Sequence, residues 1–263
     1  MCFVELQRRR VRREDVLGKR SEIDPYGNLD PDRIVFTVER LGLRIGERFP
    51  DAGLWKVCQR LEVIARQARW RAQRIARPIY ALRVLNGFLM GLIVASLALS
   101  VSAIDLAGTR LGLGELVQVL EAGINNVVFI GVALFFMVSL EGRIKRGRAL
   151  KAMHELRSIA HIIDMHQLTK DPDRILRIGP RTKSSPELNM TPFELGRYLD
   201  YATEMLSLVG KIAALYVERF DDPQAVAAVN EIESLTTGLS RKIWQKLMAL
   251  YEAAPEAKEP TAA

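Results

Sequence analysis

Two long apolar runs, standing close together in an otherwise highly charged chain, constrain the fold more than any other feature. Ala81 to Ile104 holds one charge, Arg83, at its start, and Leu116 to Leu140 holds one, Glu121. The hydrocarbon core of a bilayer is about 30 Å thick and takes roughly 20 helical residues to cross. Val84 to Ile104 is long enough, and Ala122 to Leu140 just suffices if Glu121 stays at the wet interface. A buried soluble helix is the plainer alternative for either run. Two of them, joined by a short segment containing Gly108, Gly112 and Gly114, predict instead a two-span transmembrane helical hairpin over 81–140.

The flanking charges predict which way the hairpin faces. Eight basic residues against one acid, Glu62, lie between Lys56 and Arg83, and Arg143, Lys145, Arg146, Arg148 and Lys151 follow the second run. The connecting segment carries Arg110 against Asp105, Glu115 and Glu121. Lys and Arg are retained on the cytosolic side, so both ends are expected in the cytosol of a bacterial-type inner (plasma) membrane. The formal charge of +7 then reads as attraction to an anionic phospholipid surface. No aromatic and basic interleaving or recognition motif points to nucleic acid.

Within the first run Gly87, Gly91 and Ala95 recur every four residues, a stripe that lets a second backbone come close in lipid. Such residues are also simply common in membrane helices. Asn125 and Asn126 in the second run are expected to face another helix, a second copy of the chain or a water-filled path, because an amide alone in hydrocarbon is costly. Together with Glu121 they are the candidates for packing or for lining a pore, and homo-oligomerisation is expected.

The rest of the chain reads as helical, giving an all-α fold with a cytosolic helical domain. Residues 1–29 form a basic, partly disordered arm, and 30–80 the N-terminal helices and a basic approach helix. In the first of these Ile34, Val38, Leu41, Ile45 and Phe49 repeat at three- and four-residue spacing behind Asp30-Pro31. Residues 141–176 extend the second span as a rod, 177–190 is a linker, 191–252 a helical hairpin with coiled-coil-like pairing, and 253–263 a disordered tail. Thr191-Pro192-Phe193-Glu194 is a capping box with proline at the first helical position. A two-helix hairpin buries one seam, so it requires the rod, the N-terminal helices or another subunit to complete a core.

The chemically suggestive stretch is HELRSIAHIIDMH, which holds all three histidines. At 100° per residue His154, Arg157, His161 and Asp164 share one side of the rod, away from Leu156, Ile159, Ala160 and Ile163. His154 and His161 are too far apart on one helix to bind the same ion, whereas His161 with Asp164 is a weak metal candidate that would need ligands from elsewhere, such as Glu204 or Glu218. Inter-helix hydrogen bonding by His154, Arg157, His161 and His166 is the plain reading, and proton sensing a further one. No HExxH, glycine-rich phosphate loop or G-x-S-x-G occurs. No catalytic residue and no cofactor are therefore expected.

These features favour a membrane-anchored homo-oligomeric scaffold or signal-transmitting protein whose cytosolic hairpin contacts another protein. An oligomeric channel or transporter-like assembly is the alternative, and a metal-dependent membrane enzyme the third.

Overall fold

The computed structural model describes residues 28–106, 113–175, 183–184 and 188–253. Most of the expected N-terminal arm, linker and tail, with Gly108 and Gly112, lie outside those residues, as does the side chain of Asn126. The chain divides into residues 1–30 and a second unit, Pro31–Ala263, to which every helix below belongs.

The helices are α1 (Pro31–Arg48), α2 (Gly53–Ala76), α3 (Tyr80–Leu106), α4 (Leu113–Leu168), α5 (Pro172–Ile175), α6 (Pro192–Ala214) and α7 (Pro223–Ala253). Among the described residues there is no strand. Helix starts follow local chemistry. Pro31 and Pro192 occupy first turns, where a missing N–H costs nothing. Thr191 Oγ1 accepts from the Glu194 amide at 3.2 Å while the Glu194 carboxylate accepts from the Thr191 amide at 2.8 Å, closing the capping box.

One hydrophobic core joins α1, α2, the second half of α4, α6 and α7. It draws Ile34, Val38, Leu41 and Ile45 from α1, Leu54, Leu61, Ala65 and Ala68 from α2, and Leu156, Ala160 and Ile163 from α4. The C-terminal hairpin thus completes its core within the chain, against the rod and the N-terminal helices. Small residues set the spacing: Cys58 Sγ lies 3.9 Å from the Val38 carbonyl oxygen, and a methyl at Gly42 would lie 3.7 Å from the same sulfur.

Cross-helix pairs fix the directions. Arg146 meets Asp222, Arg157 meets Glu231, and Lys246 Nζ donates to the Gln167 carbonyl, so α7 runs alongside α4 in the same sense. Ile79 meets Glu141, Arg71 meets Glu155, and Gly53 lies against His166, so α2 runs in the opposite sense. The bundle therefore has a near end around Glu141 and a far end around His166, about 38 Å apart at 1.5 Å per residue.

α3 and the first half of α4 are long and apolar enough to cross a membrane, and 0% of the most apolar window of either is buried. Phe88, Phe129 and Phe135 are 67%, 73% and 70% exposed. Each large apolar side chain left in water forgoes about 1.5–3 kcal/mol relative to burial, so these surfaces call for a cover that the single chain does not supply. α4 passes from this uncovered stretch into the bundle core as one helix of 56 residues, about 84 Å long.

Candidate functional site

The two apolar helices join the bundle at one carboxylate. Glu141 Oε2 accepts from Arg83 Nε at 2.9 Å, and its Oε1 accepts from Lys145 Nζ at 2.8 Å and from the Ile79 backbone amide at 3.3 Å. The Arg83 guanidinium, then the Lys145 ammonium, hold the Glu141 carboxyl down at about 2. Lys145 is itself buried beside this partner. Nearly two turns into α3, Asn86 Nδ2 donates to the Met137 carbonyl of α4 at 2.8 Å. The start of α3 is thereby tied to α4 at the last turn of its apolar stretch.

A second clamp holds the turn between α6 and α7 to the same end of α4. Arg146 Nε and Nη2 reach the two oxygens of Asp222 at 2.7–3.0 Å. Asp222 Oδ1 also accepts from the Ala225 amide at 3.0 Å, capping α7. Arg146 is the first cause of the lowered Asp222 carboxyl.

The histidine face of the rod is divided between two places. His154 and His161 are exposed beside the seam of α4 with α7, where Arg157 pairs with Glu231. They line two shallow grooves, of about 290 Å³ with Gln224 and Ala228, and of about 630 Å³ with Asn230 and Ser234. Asp164 accepts from Gln167 Nε2 at 2.7 Å. Glu204, a possible outside ligand, pairs with Arg44 of α1. Among the described residues no group of three His, Cys, Asp or Glu side chains is placed to hold a metal ion. His166 is half-buried at the far end, against Gly53, in a depression of about 520 Å³ with Arg48, Lys170 and Tyr198.

The candidates in the apolar helices stand apart from the bundle. A methyl at Gly87 or Gly91 would meet nothing within 4 Å, and Ala95, Glu121 and Asn125 are exposed. Sequence reading missed the Glu141 junction and Asn86, although an acid directly after an apolar run and an amide inside one were both visible signals. No protein family, curated protein or solved structure matches the chain.

Proposed function

We propose that this chain is a membrane-anchored, homo-oligomeric helical scaffold or signal-transmitting protein. In this reading α3 and the first half of α4 form a two-span hairpin, and the bundle stands in the cytosol with both ends of the chain. The observation that carries it is the continuity of α4, whose first half is apolar and uncovered and whose second half is core. A rigid helix shared between lipid and bundle transmits a shift or rotation of one to the other without a hinge. The Glu141 junction supports the reading, since it makes α3 move with α4.

Self-association is supported by what the single chain leaves bare. Asn125 is an exposed amide on an apolar helix, and Gly87, Gly91 and Ala95 form an open stripe of small residues. A second copy would satisfy the amide and fill the stripe. The exposed seam beside His154 and His161 is the bundle surface offered to a cytosolic protein partner.

The test is alkaline extraction of membranes from cells making the full chain, followed by disulfide crosslinking through single cysteines introduced along α3 and α4. Retention in the pellet with helical periodicity of crosslinking is expected. Release into the supernatant, or no crosslink at any position, defeats the reading.

A further inference from the structure

We propose that the near end of the bundle is a binding collar for anionic phospholipid headgroups, built by Arg74, Arg77, Arg143 and Arg148. The inference rests on the membrane reading above and adds the place on the bundle and the residues that would hold the headgroups.

Several of the bundle's arginines are matched within it. Arg60 and Arg71 meet Glu155, Arg66 meets Glu62, Arg69 meets Asp32, Arg146 meets Asp222 and Arg157 meets Glu231. Arg74, Arg77, Arg143 and Arg148 are exposed, and among the described residues none of the four is in an ion pair. Glu141, the acid beside them, is already taken by Arg83 and Lys145.

Their position identifies the missing anion. All four lie within seven residues of Ile79 or Glu141, about 10 Å along a helix, comparable to the distance over which salt leaves charges in contact. Two of them lie over aromatic rings: the Arg74 guanidinium is 4.5 Å from the centroid of Trp70, and that of Arg143 is 5.1 Å from Phe136. Trp70, Phe136 and Tyr80 are 58%, 52% and 72% exposed around the same junction. Aromatic rings with an apolar body and a cation above them suit the headgroup level of a bilayer. The apolar surfaces of α3 and α4 begin at once on the other side. A phosphate arriving from lipid is therefore the anion that continuity of the surface favours.

Native mass spectrometry of the full chain in a neutral detergent tests this, with phosphatidylglycerol and phosphatidylcholine added in equal amounts. Wild type is expected to retain phosphatidylglycerol in preference, and each Arg→Gln change in the collar to weaken that preference by up to about fivefold. The set Arg74→Gln, Arg77→Gln, Arg143→Gln and Arg148→Gln should bring the two lipids near parity. A control with the same loss of charge elsewhere, Arg48→Gln, Lys56→Gln, Arg241→Gln and Lys242→Gln, should keep the preference. The corresponding Arg→Lys collar, which keeps the charge and guards against loss of fold, should keep most of it. No preference in wild type, or equal loss in collar and control, overturns the proposal. Alkaline extraction separates the two failures: chain held in the membrane pellet without lipid preference defeats the collar alone, whereas chain in the supernatant defeats the membrane reading with it.

Discussion

The imidazole of His166 lies directly on the backbone of Gly53, so that a methyl group at residue 53 would sit 2.9 Å from Nδ1 and closer still to Cε1. Gly53 opens α2 and His166 closes α4. The contact allows the two helix ends to approach at the far end of the bundle. Gly53→Ala should therefore force the ring aside and destabilise the bundle by about 1–3 kcal/mol, the usual cost of overpacking. Thermal melting checks it, with the double change Gly53→Ala and His166→Ala expected to recover part of the loss. A double variant no better than Gly53→Ala would show that the ring is not the obstacle.

The Glu141 junction should respond to acid. Its carboxyl is held at about 2 in the folded chain against an ordinary 4.5, first by Arg83 and then by Lys145. A depressed value means that the folded state favours the charged form. The contribution is complete above about pH 4.5 and is lost as pH falls toward 2. Asp222 and Glu194 are lowered as well, so the total acid response has several sources. The informative quantity is the difference between wild type and Glu141→Gln. Melting at pH 6 and pH 3 should show a smaller acid loss in the variant, and equal losses would remove Glu141 from the account.

Much of this bundle was legible because its cores repeat. Ile34, Val38, Leu41 and Ile45 in α1, and Leu156, Ile159, Ala160 and Ile163 in α4, are spaced at three and four residues, and each group is buried. The capping box at Thr191 was equally plain, since its chemistry is contained in four residues. The junction was not, because it depends on Arg83 meeting a residue 58 positions away and on Asn86 meeting a carbonyl 51 positions away. Spacing along one helix says which face is apolar and nothing about which helix covers it. The histidine stretch shows the same limit. Periodicity put His154 and His161 off the core face, but the groove beside α7 and the seat of His166 on Gly53 are long-range pairings.

Asp222 does two jobs that substitution can separate. Asp222→Ala removes both the cap on α7 and the partner of Arg146. Loss of the cap alone is worth about 0.5–2 kcal/mol. Asp222→Asn keeps an oxygen for the Ala225 amide and should retain most of that share while losing the charge pairing. Denaturant melts should therefore rank wild type above Asn and Asn above Ala. Asn and Ala falling together would assign the whole effect to Arg146.

Cys58 reports on opening of the core. Burial, with Glu62 adding to it, pushes its thiol up to about 12. At pH 8 the reactive thiolate is then about one part in ten thousand. In a Cys2→Ser background, alkylation of Cys58 should be negligible in native protein and rapid in denaturant. Prompt labelling of native protein would mean that α1 and α2 separate readily, contrary to the buried contact of Cys58 with Val38.

The small-residue stripe of α3 gives the prediction on which self-association turns. Gly91 faces open space, so an added side chain there meets no neighbour in the single chain. Gly91→Ile should leave the melting of the bundle within about 0.5 kcal/mol of wild type, as for surface changes in general. If a second copy packs on the stripe, the same side chain holds the two backbones apart, because close approach supplies the attraction between helices in lipid. Dimer yield from crosslinking in membranes should then drop severalfold while the bundle stays folded. An unchanged yield would move the contact to the Asn125 face of α4, and Asn125→Leu would become the variant that lowers it.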